Sequence, residues 1–360
     1  MAFCAPVKDV PRRVTIKDIA EQSGVSLSTV SLVMNHNPRI SQATRERVLQ
    51  TIERLGYQPN RMARQLAWRR THTLAVLMPQ LRHTFADVYF GEIVSGIYDR
   101  ASKLGYKVML EVARTEFLEN KEHLQLFEQK IVDGILFIGA NARHKFVGDF
   151  AGTVNPFLLV NSYSKEHDLN YVVSNYRYGA WQAAKHLVTL GHKRIGFIGG
   201  GLPEIPTSQD IYASFKEVLD EHHIDFAPRQ LADGLLTEEG GVRAAEQLLR
   251  DNADLTALFA LNDKMAIGAI RKINELGLHC PQDVAVVGFD DIRQASYSVP
   301  ALTTVRQPLY DLGKLACERL IELIHDKVER VQEVLPIHLV VRESCGAKLK
   351  ESAPVTAIAS

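Results

Sequence analysis

No apolar run in the 360-residue chain reaches the roughly 18 residues that a membrane-spanning helix requires. The opening "MAFCAPVKDVPRRVT" lacks the apolar core of a secretory signal, so the expected location is the cytoplasm. Cysteine is sparse. Cys4, Cys280, Cys317 and Cys345 are scattered without CxxC spacing, which excludes a zinc knuckle and a disulfide framework and leaves reduced thiols. The thirteen histidines do not cluster at metal-ligand spacing, so no metal or other cofactor is expected. Signatures of catalysis are missing too: there is no GxSxG and no HExxH. "GFIGGG" has neither the GxGxxG spacing nor the lysine of a phosphate-binding loop. An enzyme is therefore not expected. The closing "SCGAKLKESAPVTAIAS" has no heptads, so residues 344–360 read as a flexible tail that carries no coiled coil.

What is present is unevenly placed. The formal net charge is zero, yet Arg12 to Arg70 holds eleven bases (Arg12, Arg13, Lys17, Arg39, Arg45, Arg47, Arg54, Arg61, Arg64, Arg69, Arg70). The acids there are only Asp18, Glu21, Glu46 and Glu53. A net +7 head precedes a body of −7. Such a head is matched to a polyanion.

The head reads as three short helices. Thr15 is placed to cap "IKDIAEQSG", with Asp18 in its first turn, and Gly24 is placed to end it. Ser26 is placed to cap a second helix to about Met34, and Ser41 a third that ends at Gly56. Helix, glycine turn, helix is the helix-turn-helix arrangement. Ile19, Val25, Val30, Val33, Val48 and Ile52 supply a shared core. Because Val30 and Val33 face that core, Leu27, Ser28 and Leu32 face outward, where a recognition helix meets base edges in the major groove. Thr29 and Ser31 are short enough for phosphate or base contact. The alternative is a ligand-binding protein whose three-helix head binds another protein.

Pro59 interrupts the third helix, and Asn60 is placed to cap a short fourth one from Arg61 to about Trp68. That helix is too short to be stable alone, and it would fold against a second copy on DNA. Leu66 is its candidate wedge for a bent minor groove.

From Thr73 the pattern changes to strands alternating with helices, which implies parallel sheets covered on both faces. "TLAVLMP", "KVMLEVA", "GILFIG" and "PFLLVN" form a first set. A second set restarts at "YVVSN", with a helix to Leu190, "RIGFIGG", a helix near Tyr212 to His222, "ALFALN", a helix to Leu276 and "DVAVVGFDD". Two doubly wound halves would form a cleft at their strand ends. Asn161, Asn175, Asn262, Asp263 and Asp290 stand there, and such amides and carboxylates suit a hydroxyl-rich ligand. Tyr89 and Phe90 could stack on an apolar ligand face.

These residues make the chain recognisable. "VTIKDIAEQSGVSLSTVSLVMN", "ISQATRERVLQTIERLGYQPNRMARQL", "LNDKMAIGAIRKINELGLHCPQDVAVVGFDD" and "PALTTVRQP" resemble the lactose-repressor and purine-repressor family of bacterial transcription regulators, over roughly 14–343. The resemblance implies an α/β chain with an N-terminal helix-turn-helix and a hinge helix. A periplasmic-binding-protein-like core of two doubly wound subdomains follows. It implies a homodimer on pseudo-palindromic double-stranded operator DNA, controlled by a small effector held between the subdomains, and no membrane. The divisions expected are an extension (1–13), the DNA-binding domain (14–58), the hinge (59–70) and the core (71–343). Within the core, subdomain one takes about 71–170 with 306–330, and subdomain two about 171–305 with 331–343.

Carried over by position, Leu27, Ser28 and Leu32 match base-reading positions. Thr15, Ser26, Thr29, Ser31, Asn35, Ser41 and Thr44 match phosphate- or groove-contacting positions, and Asn60, Arg61, Ala63 and Leu66 belong to the hinge. Tyr89, Phe90, Asn161, Thr207, Asn262 and Asp290 match effector-lining positions. Two departures stand out. Leu32 occupies a position that often carries a guanine-reading arginine; leucine packs on a thymine methyl instead, so T or A is expected opposite it. Ile211 and Ser214, in "SQDIYASF", replace an effector-binding arginine and a glycine, with Asp210 as the candidate substitute. The sign of the effector's action and its identity are left open by these residues.

Overall fold

Residues 14–34, 37–57, 70–80 and 84–347 are described in the computed structural model. They fall into two units that divide between Arg70 and Thr71. In the first unit the three expected helices form: α1 (Ile16–Ser23), α2 (Leu27–Met34) and α3 (Gln42–Arg54). At the start of α1 the Asp18 carboxylate accepts from the Thr15 amide and the Thr15 hydroxyl, both at 2.7 Å. Thr15 is the N-cap of α1, in a reciprocal capping box with Asp18. Gly24 ends α1 at φ +64°, a left-handed conformation that a Cβ would strain. Ser26 Oγ accepts the Thr29 amide at 3.1 Å, and Ser41 Oγ the Thr44 amide at 3.4 Å. The core is Ile19, Ala20, Val30, Val33 and Val48, joined by Tyr57, with Val25 and Ile52 half-buried against it. Asn35 and the segment 58–69, which holds all of the expected hinge but Arg70, lie outside the described residues.

The second unit runs β1 (Thr73–Pro79), α4 (Val88–Lys103), β2 (Lys107–Ala113), α5 (Thr115–Glu119), α6 (Glu122–Glu128), β3 (Gly134–Ile138), β4 (Phe157–Val160) and β5 (Asn170–Ser174). It continues with α7 (Tyr176–Thr189), β6 (Ile195–Gly199), α8 (Pro206–Glu221), β7 (Leu231–Asp233), α9 (Glu238–Asp251), β8 (Ala257–Ala260) and α10 (Asp263–Glu275). Then come β9 (Ala285–Asp290), β10 (Thr303–Arg306), α11 (Leu309–Ile324), β11 (Gln332–Leu335) and β12 (His338–Val340). Two six-stranded sheets result, in the orders β11-β5-β4-β3-β1-β2 and β12-β10-β9-β8-β6-β7. Every pairing is parallel except β10 with β12. The inner strands are apolar on both faces because helices cover both. Leu74, Val76 and Met78 of β1 pack with Ile93, Ile97 and Leu312 on one side, while Ala75 and Leu77 pack with Phe117 and Phe137 on the other. Each large side chain so buried contributes roughly 1.5–3 kcal/mol.

Two sequence boundaries shift. "YVVSN" reads as the opening of the second half, but β5 pairs with β4 and belongs to the first sheet. Residues 331–335 likewise belong to the first sheet, where β11 pairs with β5. Apolar periodicity marks a strand without naming its neighbour, so the partner strand decided both assignments. The helix expected near Tyr212 starts earlier, at Pro206; proline suits the first helical position because its missing N–H has no partner there anyway. Among the described residues the chain crosses between lobes three times: at Asn175, at Gln307–Pro308, and between β11 and β12. Leu335 accepts the Asn175 amide at 2.9 Å, tying two crossings together.

Candidate functional site

On α2 the burial divides as a DNA-reading helix requires. Val30 and Val33 are fully buried, whereas Leu27 and Leu32 are 44% and 38% exposed and Ser28 is exposed. Around the helix start, Ser26 Oγ lies 2.7 Å from Ser28 Oγ and 2.8 Å from Thr29 Oγ1. Ser41 Oγ and Thr44 Oγ1 are 2.9 Å apart at the start of α3. Thr15 is exposed, Ser31 half-buried. The hydroxyls of Thr15, Ser26, Thr29, Ser41 and Thr44 lie at helix N-termini, an arrangement that favours phosphate oxygens, whereas Ser31 lies in the middle of α2. Asn60, Arg61, Ala63 and Leu66 cannot be placed beside them, since they lie outside the described residues.

The second unit carries a polar chain across its cleft. Asn161, at the end of β4, donates through Nδ2 to Tyr89 Oη at 2.7 Å and to Gln307 Oε1 at 2.8 Å. Its Oδ1 accepts the Ser174 amide at 2.9 Å, so the side chain is fixed from both ends. Gln307 donates onward to Asp290 Oδ1 at 2.7 Å. The Tyr89 and Tyr176 hydroxyls are 3.2 Å apart, and Thr207 hydrogen-bonds Tyr176. First-lobe Tyr89 thereby meets second-lobe Tyr176, and Thr207 behind it, directly, and Asn161 is linked to second-lobe Asp290 through Gln307 in a crossing segment. Asn161 at φ +49° and Asp290 at φ +115° both hold left-handed backbone at strand ends, a strain characteristic of ligand sites. Phe90 meets Tyr89 edge-on, with ring centroids 5.4 Å apart.

Electrostatics in the cleft are unusual. Burial, then the negative charges of Asp263 and Asp87, push the Asp290 carboxyl well above the carboxylate range. Burial pushes Asp263 up to about 8, although it accepts from the Thr304 hydroxyl and from the Ile292 amide at 2.8 Å. Burial also raises Tyr89 and Tyr176, keeping both phenols protonated.

Further bonds join the lobes. Lys264 pairs with Asp87, which caps α4 by accepting the Tyr89 amide at 3.0 Å. The Tyr163 hydroxyl donates to Asp210 Oδ2 at 2.8 Å. Arg143 meets Glu204 at 2.5 Å, and Lys165 donates to Gln209 Oε1 at 2.6 Å.

Tyr89, Asn161, Thr207 and Asp290 are therefore brought together, with Phe90 against Tyr89 and Asp210 held by Tyr163. Asn262 is not part of that chain. Its Oδ1 caps α10 by accepting the Met265 amide at 2.9 Å, and its Nδ2 reaches Leu236 O at 3.4 Å. Asn175 is likewise a cap, accepting the Tyr178 amide at 3.1 Å. Ile211 is 1% exposed in the second-lobe core, and Ser214 donates to Arg177 O at 2.8 Å. Sequence reading missed Gln307, Tyr176, Tyr163 and the Asp87–Lys264 pair. Gln307 had a signal, since it precedes Pro308 at a strand end; the others depend on which lobes face each other. Among the described residues, no cluster of His, Cys, Asp and Glu could hold a metal, and no helix is long and apolar enough to cross a membrane.

Comparison with known proteins agrees with both units. Residues 15–60 match the family model described as bacterial regulatory proteins, lacI family, and residues 184–345 match the periplasmic binding protein-like domain. Catabolite control protein A of Priestia megaterium is 33% identical over 335 residues, covering 92% of this chain and 99% of the relative. The ribose operon repressor of Haemophilus influenzae is 32% identical over 332 residues, covering 92% and 98%. Among solved structures, the lac repressor dimer bound to operator and the anti-inducer ONPF superposes with a TM-score of 0.81 at 29% identity, covering 93% of this chain and 99% of that one. The transcriptional regulator CelR–cellobiose complex gives 0.71 at 30% identity, covering 92% and 100%.

Proposed function

The chain belongs to the lacI family of bacterial regulatory proteins, and from that premise we propose that it is a sequence-specific DNA-binding transcriptional repressor. It acts in the cytoplasm as a homodimer on a pseudo-palindromic operator and is controlled by a small effector, a sugar or related metabolite, bound between the core lobes. The observation that carries the reading is the exposed Leu27, Ser28 and Leu32 face on a helix whose Val30 and Val33 are fully buried. The base-rich head supplies phosphate contacts that set affinity, and the α2 face supplies sequence.

Thr15, Ser26, Thr29, Ser31, Asn35, Ser41 and Thr44 act at phosphates or groove walls. Ala63 and Leu66 act at the minor groove of the operator centre, and Asn60 and Arg61 contact DNA beside them. Tyr89, Phe90, Asn161, Thr207, Asp210 and Asp290 face the effector, with Gln307 between them. A ligand hydroxyl would take over bonds that these side chains make to one another, and so alter how the lobes meet. Coupling of this kind typically amounts to about 1–3 kcal/mol between effector and operator.

Nuclease footprinting on the DNA around the protein's own gene tests the reading. A protected stretch with two related half-sites is expected, and its affinity should fall log-linearly with added salt. Absence of protection at low salt would refute it and favour a head that binds protein.

A further inference from the structure

We propose that Asp87 and Lys264 form a charged clamp that sets how far the two core lobes close. The inference goes beyond the regulatory reading and does not depend on it, because it concerns the core lobes alone.

The two oxygens of the Asp87 carboxylate have different partners. Oδ1 accepts the Tyr89 amide at 3.0 Å and the Phe90 amide at 3.5 Å, so it belongs to the first turn of α4. Oδ2 accepts from the Lys264 ammonium of the other lobe. One carboxylate thus ties a first-lobe helix start to a second-lobe side chain. The same helix start carries Tyr89, whose hydroxyl accepts from Asn161 Nδ2 at 2.7 Å and lies 3.2 Å from that of Tyr176. The pair also stands beside the polar chain of the cleft. Beyond the effects of burial and of Asp263, the Asp290 carboxyl is raised by Asp87 and lowered by Lys264.

Lys264 stands where its own helix disfavours it. Asn262 caps α10, so Lys264 falls in the first turn, next to the positive end of the helix dipole. The carboxylate across the cleft supplies what that local position does not.

Other bonds cross between the lobes, and burial separates them from this one. Arg143 and Glu204 pair at side-chain exposures of 75% and 27%, and exposed pairs of this sort contribute little. Lys264 and Asp87 are 21% and 11% exposed. Removing one partner from a pair so enclosed leaves the other desolvated and alone, which favours any motion that admits water. Separation of the lobes is such a motion, because the two residues stand on opposite sides of the cleft. Neutralising both loses the attraction but leaves no lone charge behind, so the double variant differs from either single one.

Hydrogen exchange of the full chain, followed by mass spectrometry, tests the clamp. The Ala142 amide, in the loop after β3, donates at 2.7 Å to Glu204 O, in the loop after β6, so its protection is lost when the lobes part. Strand β1 is paired on both sides within the first sheet, and its amides serve as the control. Asp87→Asn removes the charge while its side-chain oxygen can still accept the Tyr89 amide, which separates pairing from capping. Asp87→Asn and Lys264→Met should each speed exchange in the peptide holding Ala142 by roughly tenfold or more, with β1 unchanged. The double variant should fall between wild type and the single variants.

Single variants that exchange at the wild-type rate would overturn the inference. So would a double variant whose effect is the product of the two single effects, since the residues would then act independently. A rise at β1 in step with Ala142 would overturn it as well, by showing that the pair supports the fold and not the lobe arrangement.

Discussion

Leu32 and Ile211 are single substitutions with opposite legibility. Leu32 stands outside a core that its own helix periodicity defines, and it is 38% exposed as that periodicity requires. Its consequence is direct. An arginine fork to guanine supplies about 1–3 kcal/mol of discrimination that leucine cannot. Leu32→Arg should shift one symmetric pair of operator positions from T or A toward G in binding-site selection; unchanged preference at every position would contradict the assignment. Ile211 was legible as a missing arginine, but the fact that the side chain turns inward came only from the packing of α8 against its sheet.

Asp263 was read as a possible cleft residue, and burial makes it a pH-sensitive one. Its ordinary value is 3.8, and in the fold it lies near 8. Between those values the unfolded chain ionises while the folded chain keeps its proton. The group's contribution to stability therefore falls as pH rises, by at most about 1.4 kcal/mol per unit, and levels off above the folded value. Thermal melts of wild type and Asp263→Asn at a series of pH values should diverge across that window, with the asparagine variant gaining relative to wild type as pH rises. Parallel curves would show that the carboxyl titrates normally.

At the scale of elements, helices with their own caps were readable and strand neighbours were not. Gly24, Ser26 and Ser41 announce where α1 ends and where α2 and α3 begin, because each meets a local backbone need. Nothing local says that β5 joins the first sheet or that β11 and β12 join different ones. The contact between α4 and α11 is another long-range matter. A Cβ on Gly96 would stand 2.0 Å from Tyr310 O, and one on Gly313 would stand 2.1 Å from Ile93 O. The two helices cross backbone to backbone. Gly313→Ala must push them apart, and overpacking of this sort typically costs about 1–3 kcal/mol. Chemical denaturation should show a lowered midpoint for the core with little change in slope, while an unshifted midpoint would mean that the crossing relaxes freely.

On the scale of the whole molecule, the division of labour was written in charge before any fold was considered. The bases gather ahead of Arg70, and the structural division falls between Arg70 and Thr71. The cleft was half legible. Strand-end Asn and Asp pointed to it, but equally to helix caps, and Asn262 and Asn175 are caps while Asn161 and Asp290 are linked across the lobes. What separates the two fates is the partner in the opposite lobe, which no local pattern encodes. Leu66 gives the hinge its own expectation: Leu66→Ala should weaken operator binding while leaving the core's melting temperature unchanged, and equal affinity would remove the wedge from the account.

The central claim is that the leucine-bearing face of α2 reads duplex sequence in pairs. Selection of bound duplexes from a random pool by the full-length protein tests it most directly. The account predicts enrichment of two inverted half-sites with T or A at the positions facing Leu32. A pool that stays random, or that converges on a single unpaired half-site, would contradict it.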